Sequence, residues 1–86
     1  MKEYIVVGFR PYSGTFEGIN YSGNYCHCIS LVDPSEGFSG RYVKELKIKG
    51  KFNYSPRVGD IIQVGYGESG IESVDVVNHV LTYDFD

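Results

Sequence analysis

The sequence has no tryptophan, one methionine, three prolines and two cysteines in 86 residues, and its acids outnumber its bases by eleven to eight. No apolar run approaches the roughly 18 residues that a membrane-spanning helix needs. The opening stretch, MKEYIVVGF, is apolar over too few positions for a secretory signal and lacks a small-residue cleavage pattern. These absences predict a cytoplasmic protein with no membrane partner.

The two cysteines exclude more. They are spaced Cys26-x-Cys28, and same-face neighbours on a strand lie roughly 6.6 Å apart, too far to bridge without distortion. A disulfide framework is out, and a reducing compartment fits. Zinc needs ligands that converge tetrahedrally, whereas strand alternation sends His27 to the face opposite both thiols, with His79 as a remote fourth candidate. No metal and no cofactor are expected. No carboxylate or amide is placed to orient a cysteine–histidine pair, and no glycine-rich phosphate loop meets a helix. Asp33 and Asp60 fall among turn residues rather than forming an acid/base pair. The chain reads as a non-enzyme; a hydrolytic or redox role for Cys26, His27 or Cys28 is the least supported alternative.

Apolar residues make up 42% of the chain and aromatics 15%, with tyrosine supplying eight of the thirteen rings, so a packed core is expected rather than disorder. For this length a compact chain has a radius of gyration of about 12 Å, which leaves room for one core only. A single domain over residues 1–83 is predicted, followed by a short acidic tip at 84–86. Eleven glycines break the sequence at short intervals, and β-branched or aromatic clusters fill the gaps, with no helical period in between. Strands are predicted at 4–9, 24–33, 41–49, 60–66 and 71–78, with a short sixth piece at 80–83. Turn formers occupy 11–14, 20–23, 33–37, 55–59 and 67–70. A five-stranded antiparallel meander of this kind closes most economically as a small all-β Greek-key barrel of OB type, with an SH3-like barrel as near neighbour. Alternation puts Leu46 and Ile48 on a core face opposite Arg41, Glu45, Lys47 and Lys49. It likewise aligns Ile62, Val64 and Tyr66, and in the last strand Val74 and Val76.

The net charge of −3 hides a strong asymmetry. From Arg41 to Arg57 there are six bases against Glu45 alone, or +5, and the remainder carries two bases and ten acids, or −8. Within the basic stretch the cations alternate with rings: Arg41, Tyr42, Lys44, Lys47, Lys49, Lys51, Phe52, Tyr54 and Arg57. Single-stranded nucleic acid needs both, cations to follow phosphates and flat rings on which unpaired bases stack. The competing use of such a strand is a lysine-protected sheet edge, with Phe52 and Tyr54 covering a barrel end. A second group, Tyr12, Tyr21 and Tyr25, lies in or beside glycine-rich segments, as ligand contacts or as structural caps. The C-terminal Asp84, Phe85 and Asp86 combine acids with an aromatic ring, as in the tips by which bacterial single-strand binders recruit replication partners. A different class of function stays open: an interaction or inhibitor module presenting Glu68, Glu72, Asp75, Asp84 and Asp86 to a basic partner, with tyrosines as anchors.

The order of features resembles the gene V-type single-stranded-DNA-binding proteins of filamentous phages. Tyr42-Val43-Lys44-Glu45-Leu46-Lys47-Ile48 is similar to that family's Tyr-Pro-Val-Leu-Val-Lys-Ile strand. Tyr54-Ser55-Pro56, Gly59 and Ile62-Gln63-Val64 are similar to its Tyr-Ala-Pro-Gly turn and following strand. Gly23-Asn24-Tyr25 leading to Cys28 and Val32-Asp33, and later Val74-Asp75, extend the likeness over residues 14–78. The resemblance implies an OB-fold homodimer that coats single strands cooperatively and without strong sequence preference; the residues themselves leave RNA beside single-stranded DNA as a candidate ligand. On that resemblance, Tyr25 and Tyr42 contact bases and Lys47 a phosphate, and the setting is phage or mobile-element replication in a host cytoplasm. The full set of expected contacts is Tyr21, Tyr25, Arg41, Tyr42, Lys44, Lys47, Lys49, Lys51, Tyr54 and Arg57. Three family features are missing: the long hairpin before the last strand is reduced to residues 65–70, the final-strand arginines fall on Val76 and Asn78, and the arginines of the early loop have no match from Glu17 to Asn24.

Overall fold

The computed structural model describes residues 2–82. Its elements are β1 (Lys2–Phe16), β2 (Ile19–Ser30), β3 (Val43–Lys49), a single 3₁₀ turn (Gly50–Phe52), β4 (Asp60–Gly67) and β5 (Gly70–His79). All the pairings are antiparallel, and the strands form one sheet in the order β3-β2-β1-β4-β5. The fourth strand thus returns past the first hairpin to lie beside β1, so a simple meander is not what forms.

The first hairpin is far longer than the sequence suggested. Residues 11–14 and 20–23, expected as turns, are strand, and the reversal is made by Glu17 and Gly18, both at positive φ (50° and 79°). A two-residue turn with both φ positive has the twist that matches the flanking strands. Pro11, which cannot donate to a ladder, is tolerated because β4 pairs with β1 only from Lys2 to Ile5, leaving that side of β1 open. Beyond Gly23 the hairpin also outruns β3 and projects as a two-stranded arm. The arm explains the shape: the radius of gyration is 14.1 Å and the long axis 48 Å, against about 12 Å expected for a compact chain of this length.

One face of the sheet carries the core. Tyr4, Val6, Cys26, Cys28, Leu46, Ile48, Ile62 and Val64 are buried together, with Phe52, Tyr54, Ile71 and Val74 packed against them. Each fully buried aliphatic side chain contributes about 1.5–3 kcal/mol. Leu46, Ile48, Ile62, Val64 and Val74 lie where alternation predicted. Val76 shares that face, opposite Ile62, but is 47% exposed on β5, the edge strand of the sheet. Tyr66 stands at the rim, its hydroxyl 3.0 Å from that of Tyr4.

The sheet is not closed, which corrects the barrel expected from sequence. Among the described residues no ladder joins β3 to β5. The two edges face each other across a groove whose lining includes Leu46, Phe52, Tyr66 and Ile71. The sixth strand is absent over residues 80–82; Val80 instead donates its N–H to the Gly59 carbonyl at 2.9 Å. Gly59, at φ 101°, permits that approach, since a Cβ there would run into the Val80 carbonyl.

Asp60, placed among turn residues by its sequence context, is a buried structural hub at the start of β4. Its carboxylate accepts hydrogen bonds from the Tyr54 hydroxyl (2.7 Å) and the Arg57 backbone N–H (3.0 Å), and lies 2.8 Å from His79 Nδ1 and 3.4 Å from Arg57 Nε. A carboxylate only accepts, so Nδ1 carries the imidazole proton. Burial alone would raise the Asp60 pKa, but these donors and the Arg57 charge outweigh it and hold it below its ordinary value. The hub ties the 55–59 loop to the end of β5.

Candidate nucleic-acid interface

The face of the sheet opposite the core is built from alternate residues of β1, β2 and β3. On β2 and β3 the positions follow from the buried partners: with Cys26, Cys28, Leu46 and Ile48 inward, Tyr25, His27, Lys47 and Lys49 point outward. On β1 a bulge between Val6 and Gly8 changes the parity. A one-residue offset moves every later side chain to the other face. Val6 is inward, yet Gly8, Arg10 and Tyr12 come to lie opposite His27, Tyr25 and Gly23 on the outer face. The bulge therefore brings Arg10 and Tyr12 to Tyr25.

These side chains make a connected cluster. The Tyr12 and Tyr25 rings are 5.0 Å apart at 47°. The Arg10 guanidinium lies 4.3 Å from the Tyr25 centroid, and Lys47 Nζ is 5.0 Å from Tyr12 and 5.9 Å from Tyr25. Such cation–ring contacts contribute roughly 0.5–1 kcal/mol at exposed sites. Gly23 makes the packing possible, because a Cβ there would overlap the Tyr12 hydroxyl and the Ile48 carbonyl. Beside the cluster lies an open hollow of about 510 Å³ lined by Tyr12, Tyr21, Lys47, Lys49 and Lys51 among others. Tyr21 is 45% exposed and sits on the next outward row, opposite Gly14.

Five of the residues expected from sequence thus gather here: Tyr21, Tyr25, Lys47, Lys49 and Lys51. The sequence does not point to Arg10 and places Tyr12 in a loop, because the expected strand ends at residue 9 and the bulge leaves no mark in the alternation. The remaining expected contacts lie elsewhere. Tyr42 precedes β3, packs on Phe38 at 4.5 Å and accepts the Ser35 N–H at 2.9 Å, its hydroxyl also 3.0 Å from Ser35 Oγ. Those two contacts, the side-chain one first, lower its pKa. Arg41 lies 3.6 Å from Asp33 across the same loop. Lys44 is on the core-side parity at the rim, its Nζ 5.0 Å from the Tyr66 ring. Tyr54 and Arg57 belong to the Asp60 hub, where burial first, and then the hydrogen bond to the carboxylate, raise the Tyr54 pKa. Asp84, Phe85 and Asp86 lie outside the described residues.

The cysteine pair takes no part in this face. Both thiols are buried, and burial pushes Cys26 up to about 11 and Cys28 to about 12, with further increments from Asp60 and from Cys26 respectively. Neither is an activated nucleophile at neutral pH. His27 is on the opposite face, as alternation predicted, with Nε2 3.4 Å from Glu45.

Compared with known proteins, the chain matches no family model, no curated protein and no solved structure. The likeness to gene V-type proteins rests on the short motifs quoted above.

Proposed function

We propose that this protein is a non-catalytic binder of single-stranded DNA, and that it holds the strand against the outer face of β1, β2 and β3. The observation that carries the reading is the convergence of Tyr12, Tyr21 and Tyr25 with Arg10, Lys47, Lys49 and Lys51 on one exposed surface. Rings there offer stacking platforms and the cations offer phosphate contacts, the two ingredients of sequence-tolerant single-strand binding. Duplex DNA presents no free base faces, so the rings add nothing to duplex binding. The fold proposed with this function is an opened OB-type sheet. In support, the order β4-β1-β2-β3 is the 4-1-2-3 order of a Greek key, and the OB-type binding surface is the face of strands 2 and 3. The resemblance to gene V-type proteins adds a phage or mobile-element setting and a homodimer to the proposal.

The test is anisotropy titration of labelled oligo-dT beside an equal-length duplex at several salt concentrations. With four cations on the face, log affinity for the single strand is expected to fall against log salt with a slope of about −3. Equal binding to duplex, or a flat salt response, overturns the reading.

A further inference from the structure

The nucleic-acid face uses the base of the β1–β2 arm and leaves its tip unexplained. Phe16 and Ile19 form the last cross-strand pair and are 63% and 58% exposed. Glu17 stands between them in the turn. No lysine or arginine occurs from residue 11 to residue 40, so a phosphate backbone reaching the tip would meet an acid and no base. An exposed apolar pair on a projecting ribbon, with a carboxylate between, is suited to a protein surface that is itself apolar and basic.

The same chain carries such a surface. The groove between the β3 edge and the β4–β5 hairpin has a volume of about 580 Å³. Leu46, Phe52 and Ile71 supply its apolar lining, and four lysines (Lys44, Lys47, Lys49 and Lys51) line it against two glutamates, Glu45 and Glu72. Four lysines against two glutamates make the groove net basic. The exposure of Phe16 and Ile19 shows that the arm does not fill its own groove.

We propose that the arm tip of one copy docks in the β3/β4–β5 groove of a second copy, Phe16 and Ile19 against the apolar lining and Glu17 against the lysines. The copies are arranged head to tail, each arm in the groove of the next, so each added copy leaves one free arm and one free groove and the assembly grows as an open chain, whereas reciprocal exchange of arms between two copies would close a two-fold dimer. The contact needs no nucleic acid. A chain built this way suits a protein that coats a strand, but it stands or falls separately from the proposed function.

Sedimentation velocity of the full chain in the absence of nucleic acid, over a wide concentration range, tests it. The expected result is a weight-average mass that climbs with concentration past the dimer. Phe16→Ser is expected to weaken association at least about tenfold, as for an interface anchor. Glu17→Lys and Lys51→Glu each weaken it, and the double variant Glu17→Lys/Lys51→Glu recovers it. Both positions are exposed, and circular dichroism checks that the variants keep the sheet. A monomer at every concentration, a dimer that grows no further, or association that Phe16→Ser leaves unchanged overturns the proposal.

Discussion

Tyr12 and Tyr25 illustrate how single residues define the candidate site. Each ring already has a cation against it in the free protein, Arg10 at 4.3 Å from Tyr25 and Lys47 at 5.0 Å from Tyr12. A base that stacks there displaces a cation from a ring and leaves it near the phosphates. Removing either ring by Tyr12→Ala or Tyr25→Ala is expected to lower affinity for oligo-dT about 5- to 150-fold, the worth of roughly 1–3 kcal/mol of stacking. Fluorescence anisotropy reads this, and unchanged affinity in both variants removes the rings from the site. Asp60 carries a different residue-scale consequence. Its folded pKa lies below the ordinary 3.8, so its contribution to stability is fully present above the unfolded value and is lost as pH falls through the folded one. Thermal melts at decreasing pH are expected to show the midpoint falling in the acid limb below about pH 4. In Asp60→Asn that limb is flatter, and the protein is less stable at neutral pH by about 1–3 kcal/mol. An acid limb identical to the wild type would exclude Asp60 as its source.

At the scale of elements, what was legible in the sequence and what was not have separate physical causes. The β3 lysines were legible because β3 is a regular edge strand in which the buried Leu46 and Ile48 force Lys47 and Lys49 outward. The first hairpin was not. Pro11 and Gly14, then Asn20 and Gly23, are turn formers by composition, yet the pairing across Glu17-Gly18 places all four in strand. The bulge after Val6 is equally silent, so the facing of Arg10 and Tyr12 required the register. Tyr54 and Arg57 were grouped with the lysines because they follow them closely in sequence. The chain turns at Gly50–Phe52, however, and carries them to Asp60. Gly23 provides the element-scale test. Gly23→Ala puts a methyl where the Tyr12 hydroxyl and the Ile48 carbonyl lie, so either the ring swings off Tyr25 or the β2–β3 ladder opens. A loss of about 1–3 kcal/mol of stability is expected, as for overpacking, together with weaker oligo-dT binding. A variant with wild-type melting and binding would mean that neither the ring nor the ladder depends on this close approach.

The whole molecule divides into a packed body and a projecting arm, and the two halves differ in what holds them. In the body, β1 lies between β2 and β4 and the inner face is buried. In the arm, rows 12/23 to 16/19 have no third strand on the β1 side. The β2 side is covered by β3 only as far as Gly23. Isolated two-stranded ribbons are marginal in water, and local opening follows the lack of buried contacts. Hydrogen exchange is therefore expected to be fast at the paired amides of residues 13–16 and 19–22 and slow around Tyr4, Val6, Cys26, Cys28, Ile62 and Val64, whose side chains form the core. The arm is also where the two proposals meet. Binding of a strand at its base protects rows 10/25 and 12/23 first, while docking of its tip in a second copy protects row 16/19 in a concentration-dependent way without nucleic acid. If oligo-dT slows exchange throughout the arm while dilution changes nothing at the tip, the arm serves the strand alone. Protection at the tip on concentration, without any at the base, assigns the arm to self-association.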